Sequence, residues 1–333
     1  MDSVPSDFCL DVLGFRDVHP WDYEELAKAL SGRWKAAADS LADNIQDLTL
    51  HCRVENGEWS YASRIYRRNN ENRANQDDLP TDRRFLRCKG ITFNAVKEDE
   101  EYIYEPCSKE EILDLVVPGM LLQMRRSSCI DFGSTLSPED ASLIFDSFLR
   151  WHAFGLHLLS LWLPYYGPES ERFLSTFLDR GGNLGSLILN SSWPHSESVE
   201  GLVVKFLNSS DPFVFVVDWT PKEFKSEPSL TLTPKILEVI LNAWDTVEDF
   251  NIFFASTPWH AGPEEVLLLP VPPNATRKLL KAEDASKEFI VWSKEDGSTL
   301  SCTIDYSKQR TSLNVPSDES VHDPTNIELV SPP

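Results

Sequence analysis

Histidine, cysteine and glycine are the residues through which this chain could do bond chemistry, and their spacing argues against the common arrangements. Six cysteines, Cys9, Cys52, Cys88, Cys107, Cys129 and Cys302, are scattered without a Cys-x-x-Cys pair. That pattern is expected of reduced thiols in a cytosolic or nuclear protein, not of a zinc site or disulfide framework. His152 and His157 do not share the i, i+4 spacing that puts two ligands on one helical face, and they read as core or edge histidines. His51, His195 and His260 fall in strand or loop contexts that argue no ligand role. Gly181, Gly182 and Gly185 follow a helix and precede a strand, whereas a phosphate cradle follows a strand and opens a helix. They read as a helix C-cap and a tight turn. No serine stands in Gly-x-Ser-x-Gly, and no cysteine has an identifiable base beside it. No catalytic residue, metal or cofactor is expected; a hydrolase or transferase would need a pocket of perturbed ionisable groups at strand ends.

What recurs is aromatic. Trp162 with Pro164, Tyr165 and Tyr166, then Trp193-Pro194, then Trp219 with Pro221, then Pro258-Trp259 each follow a short apolar run. On parallel strands those loops share one edge, where tryptophan and tyrosine suit partner recognition. The competing reading is that each tryptophan packs on the next loop and holds the stack together. The loop 218–230, with Lys222, Glu223, Lys225, Ser226 and Glu227, is the one expected to project.

The elements that would position these residues repeat four times. Helical apolar stripes fall at Ile144, Phe145, Phe148, Leu149; at Phe173, Leu174, Phe177, Leu178; at Leu202, Val203, Phe206, Leu207; and at Ile236, Leu237, Ile240, Leu241. After each comes a strand-like run: 156–163, 184–189, 213–217 and 252–255. The period, roughly 28 to 36 residues, is that of stacked repeats, whose units bury their faces only on one another. Ser137-Pro138-Glu139-Asp140 and Thr233-Pro234 supply helix starts.

Elsewhere, Ile45, Leu48 and Leu50 stand in leucine-rich-repeat spacing, and Asn56-Gly57 predicts a hairpin. A helix from Ser108, with Glu111 at the capping-box position, is expected to end near Val117-Pro118. Strands are expected at 91–96 and 129–132, and Asp296-Gly297 predicts a second hairpin followed by a strand at 312–315. The fold class is α/β: a leucine-rich-repeat-like β-α solenoid of about five to six repeats with a parallel sheet. The expected division is a helical unit at 1–43, the repeat array at 44–287, a C-terminal antiparallel β cap at 288–315 and a disordered acidic tail at 316–333.

Charge constrains partners. With 53 acidic and 31 basic side chains among 333 residues, the formal charge is −22. That repels a phosphate backbone, so no nucleic acid is expected and a basic protein surface is the better partner. The exception, Arg64, Arg67, Arg68, Arg73, Arg83, Arg84, Arg87 and Lys89, reads as a solvated loop. Acids at Asp2, Asp7, Asp11, Asp17 and Asp22 and the want of a long apolar run predict neither a secretory signal nor a membrane span. The expected location is cytoplasmic or nuclear.

The first segment carries a family likeness. Val4-Pro5 opens an apolar helix, and Leu30-Ser31-Gly32-Arg33-Trp34 closes the unit, with Trp34 coming 29 residues after Pro5. This resembles a divergent F-box, and with Phe8-Cys9 it is similar to the F-box-associated families expanded in nematodes. It departs from the pattern in an insertion of about three residues between Gly14 and Tyr23 and in Gly32, which stands where the closing segment has its first basic residue. The resemblance implies a non-enzymatic substrate-recognition subunit of a cullin-RING ubiquitin ligase. Val4, Pro5, Phe8, Val12, Leu13, Leu26, Leu30 and Trp34 would then pack on a Skp-type adaptor that joins the cullin scaffold. The aromatic edge would hold an unknown protein target, with Trp162, Tyr165, Tyr166, Trp193, Trp219 and Trp259 as contacts. The alternative is a protein-interaction scaffold with no ubiquitin role, in which the first helices only cap the array.

Overall fold

The computed structural model describes residues 4–14, 20–67, 70–73, 83–94, 102–151, 157–180, 183–190, 192–209, 212, 214–218, 230–247, 250–256, 263–282, 286–306, 310–314 and 327–329. The chain divides into two units, Met1–Ser160 and Leu161–Pro333. Both are mixed α/β.

The first unit opens with α1 (Ser6–Gly14), α2 (Pro20–Ala29) and α3 (Gly32–Asn44). Their shared core is Cys9, Leu13, Tyr23, Ala27, Ala37, Ala38, Leu41, Ala42 and Ile45. The four alanines allow close helix approach, and Tyr23 fills the remaining volume. Its hydroxyl donates to the Leu13 carbonyl at 2.8 Å and accepts from Arg87 Nη2 at 2.7 Å. Arg87 is itself buried, so the helical unit is fastened to the strand that carries it. Gly32 starts α3 at φ 59, a conformation costly for any residue with a Cβ. A glycine at this position thus has a backbone cause.

The sheet of this unit contains β1 (Gln46–Glu55), β2 (Glu58–Arg67), β3 (Asn70–Arg73), β4 (Leu86–Phe93), β5 (Glu105–Cys107) and β6 (Met124–Phe132). Its order is β3-β2-β1-β4-β6, with β5 pairing to β2. The predicted hairpin is present: Asn56 at φ 52 and Gly57 at φ 81 supply the two left-handed residues of a tight turn between β1 and β2. β1 runs parallel to β4, and β4 parallel to β6. One face, with Leu48, Leu50, Cys52, Val54, Ile91, Phe93, Ile130 and Phe132, is buried. It packs on α6 (Pro138–Trp151) through a ring cluster in which Phe132 lies 5.1 Å from Phe145 and 5.6 Å from Phe148. Ser137 caps α6 as the sequence predicts, its hydroxyl accepting from Asp140 N at 3.1 Å.

The helix at Ser108 differs from expectation. Ser108 accepts from Glu111 N at 3.0 Å, as a capping serine should. The helix, however, runs through α4 (Lys109–Glu111), a π segment (Ile112–Val116) and α5 (Val117–Leu121) without stopping at Pro118. The wider π turn accommodates the proline. A buried hydroxyl satisfies one freed carbonyl: Ser147 Oγ of α6 donates to Leu113 O at 2.6 Å.

In the second unit, β7 (His157–Leu163), β8 (Asn183–Asn190), β9 (Val214–Asp218) and β10 (Asn251–Ser256) alternate with α7 (Pro168–Asp179), α8 (Glu197–Leu207) and α9 (Pro234–Thr246). β7 begins in the first unit and ends in the second. β8, β9 and β10 are parallel, and α8 packs between α7 and α9. α6, α8 and α9 bury the stripes their sequences announce, and α7 buries Phe173, Leu174 and Phe177 and leaves Leu178 half-buried. After α10 (Pro263–Leu268) come the antiparallel strands β11 (Ala275–Ala282), β12 (Lys287–Lys294), β13 (Thr299–Asp305) and β14 (Arg310–Asn314), the last lying antiparallel on β10.

Two elements here escaped the sequence reading. β11 is rich in lysine and leucine, and it pairs with β12 along most of its length. Arg277 within it donates to the carbonyls of Val266, Leu267 and Leu269, closing the end of α10. The segment expected to be disordered contributes β15 (Ile327–Leu329) to the edge of β11. At the other end of this unit, Lys294 Nζ donates to Trp244 O at 2.6 Å and lies 4.5 Å from the Trp244 ring centroid. It closes the C-terminus of α9, where a cation is favoured. Among the described residues no helix is long and apolar enough to cross a membrane.

Candidate protein-docking surfaces

The N-terminal helices present an apolar strip on the side of α1 away from Cys9 and Leu13. Phe8 is 52% exposed and Val12 40%, one helical turn apart, and the Phe8 ring meets Trp34 edge-on at 6.4 Å. Pro5 is exposed, while Val4, Leu26, Leu30 and Trp34 are half-buried. Arg33 Nη1 donates to Val4 O at 2.8 Å, holding the start of α1 against α3. Leu13 is different. At 6% exposure it belongs to the three-helix core and has no surface left for an adaptor, because its helical position faces Leu41 and Tyr23. Trp21 on α2, 55% exposed, extends the apolar surface and was not singled out from sequence. Beside the strip, Asp7 and Asp11 face Arg84 Nη1 at 2.9 and 3.8 Å.

The aromatic edge of the second unit resolves into different roles. Trp162, 39% exposed, points away from the buried Leu161 and Leu163. Tyr165 and Tyr166 are half-buried. The Tyr165 hydroxyl donates to Glu171 Oε1 at 3.1 Å, and burial followed by that contact pushes its pKa up. Trp193 is fully buried and is not a target contact. Its Nε1 donates to Leu163 O at 2.7 Å, its carbonyl accepts from Leu230 N at 2.8 Å, and its ring lies 5.2 Å from Tyr165. The indole therefore holds its own loop to the segment 163–165 while its backbone carbonyl holds Leu230, the stacking role that competed with recognition in the sequence reading. Trp219 and Trp259, and loop residues 219–229, lie outside the described residues. Nearby, Thr233 caps α9 and also donates to Glu200 Oε2 at 2.6 Å, while Lys235 approaches Glu200 at 2.9 Å. Burial alone would raise the Glu200 pKa, but these contacts hold it below the usual range.

A third surface was not legible in sequence. Opposite its buried face, the sheet of the first unit carries Asp47, Thr49, His51 and Arg53 from β1, Lys89 and Thr92 from β4, and Cys129 and Asp131 from β6, all half-buried. His51 uses both ring nitrogens: Nε2 lies 3.0 Å from Thr49 Oγ1 and Nδ1 2.8 Å from Thr92 Oγ1. Tyr102 covers it, the two rings 4.2 Å apart, and the Arg53 guanidinium lies 5.5 Å from the Tyr104 ring. These two contacts fix the orientation of the ring between the two threonines. Asp131 carries a carboxyl pushed up to about 6 by burial.

Nucleophile chemistry finds no support in the thiols. All six cysteines are free, and burial pushes Cys88 and Cys302 up to about 12. Burial also raises Cys52, Cys107 and Cys129. Among the described residues no three His, Cys, Asp or Glu gather as a metal site. His152 lies outside the described residues. The class these features define is a mixed α/β protein with parallel β-α units, an antiparallel β segment and partly exposed apolar and polar surfaces. No protein-family model, curated protein or solved structure matches the chain.

Proposed function

We propose that the protein is a non-enzymatic adaptor that docks a Skp-type subunit of a cullin-RING ubiquitin ligase through α1 to α3 and holds a protein target on a leucine-rich-repeat-like array. The observation that carries this reading is the exposed apolar strip of Phe8 and Val12 beside Pro5, with half-buried Trp34 edge-on to Phe8, on a helical unit that has its own buried core. Solvent-facing aromatic and aliphatic side chains in one patch suit a protein partner. An adaptor of this kind accelerates modification by raising the effective concentration of target near the charged enzyme.

The test is co-purification of the Skp-type adaptor with the full chain and with a Phe8→Asp/Val12→Asp variant. Both positions are exposed, so the variant is expected to fold with an unchanged thermal midpoint and to lose adaptor capture. Equal capture by parent and variant would refute adaptor docking. The second reading, a scaffold whose helices only cap the sheet, is favoured by one contact: the buried Arg87 to Tyr23 hydrogen bond that ties the helices to β4. In that case neither protein captures the adaptor.

A further inference from the structure

We propose that Asp131 anchors a cationic side chain of a bound basic polypeptide laid across the polar face of the first unit's sheet. The inference is independent of the ligase reading and places a basic ligand on strands of the first unit. It begins with register. Ala62, His51, Thr92 and Asp131 stand side by side on β2, β1, β4 and β6. An imidazole with its Tyr102 cover, one hydroxyl and a carboxyl thus lie in one row, about 10 Å from His51 to Asp131 at the usual spacing of about 4.8 Å between strands.

Among the described residues, other charges on this face have partners of their own. Lys89 Nζ lies 4.0 Å from Asp47 and 2.8 Å from Ser127 Oγ, and Arg53 Nη2 lies 2.7 Å from Glu55. Arg64 stands on β2, in the row of Thr49, Gly90 and Cys129, three strands from β6. Among the described residues no cation or hydrogen-bond donor reaches Asp131, and burial alone accounts for its raised proton affinity. An ionised carboxyl held partly out of water without a counter-charge is costly, and a ligand ammonium or guanidinium would supply that charge with a charge-assisted hydrogen bond. Thr92 beside it offers a second polar contact. Asp131 is half-buried and so within reach of solvent, and the chain's formal charge of −22 favours a basic ligand.

The experiment titrates full-length protein into fluorescein-labelled oligolysine at physiological ionic strength and follows anisotropy. Asp131→Asn is compared with Asp43→Asn, which removes the same charge from an exposed site on α3. The expected result is about a tenfold or greater loss of affinity for Asp131→Asn and less than about twofold for Asp43→Asn. Equal losses would show diffuse attraction only and overturn the proposal, as would no loss at Asp131. A second measurement needs no variant: the Asp131 carboxyl carbon, followed by NMR in aspartate-labelled parent, is expected to titrate at lower pH with saturating oligolysine. An unmoved titration would overturn the proposal by itself.

Discussion

Replacing Asp131 with asparagine is expected to stabilise the protein near neutral pH and to do so less as the pH falls. Burial raises this carboxyl from an ordinary 3.8 to about 6, so the folded state binds the proton more tightly than the unfolded chain. The sign is opposite to that of an ion-paired aspartate: the ionised group lowers stability fully above the folded value, and the penalty vanishes below the unfolded one. The interval between the two values, at about 1.4 kcal/mol per pH unit, sets a ceiling of roughly 3 kcal/mol. Asparagine keeps the shape and stays neutral, but its amide must also leave water, so the expected gain at about pH 7.5 is roughly 1–3 kcal/mol. At about pH 4.5 the parent carboxyl is mostly protonated in the folded state, and about 1 kcal/mol of its penalty remains. Urea denaturation of parent and variant at both pH values reads the difference, and subtraction cancels the titration of the other carboxylates. A variant less stable than the parent at about pH 7.5, or a gain of the same size at both, would refute the argument. A group that weakens the fold and has no partner within the described residues is the sort retained for binding.

Trp193→Ala is expected to cost about 3–5 kcal/mol, because it opens a cavity beside the segment 163–165 and strands the Leu163 carbonyl. Trp193→Phe should cost about 1–2 kcal/mol, and equal denaturation midpoints for parent and phenylalanine variant would remove the stapling role. Gly32→Ala is expected to lose about 1 kcal/mol in thermal unfolding, since φ 59 disfavours a Cβ; a stabilised variant would mean that the turn relaxes freely. Lys294→Met should lower stability by about 1 kcal/mol by uncapping α9 and removing the cation from the Trp244 ring, with circular dichroism melting as the measure.

Local signals carried much of the fold. The serine and threonine caps at Ser137 and Thr233 and the turns at Asn56-Gly57 and Asp296-Gly297 depend on neighbours within a few residues, so a reader of the chain sees all the physics involved. The four helical stripes and their strands are legible for the same reason. What failed depended on partners far along the chain. Pro118 does not stop its helix, because a π turn and the distant Ser147 hydroxyl satisfy the backbone. The row of His51, Thr92 and Asp131 exists only through the register of parallel strands about forty residues apart, which no local pattern encodes. The aromatic edge was visible as composition, but the depth of Trp193 was not: an indole beside a proline looks the same in sequence whether it grips a partner or the next loop.

The N-terminal helices need not choose between capping and docking, because the two uses fall on different sides. Their inner contacts, Tyr23 with Arg87 and Phe85 against the shared core, do what a terminal cap must do. A cap that ends an array in water also needs a polar outer face, and this one has Phe8, Val12 and Trp21 each at least 40% exposed. Capping explains the inner contacts and leaves the outer ones without a physical reason. On the proposed adaptor reading, a partner covering Phe8 and Val12 would supply that reason, because burying such a patch contributes to binding.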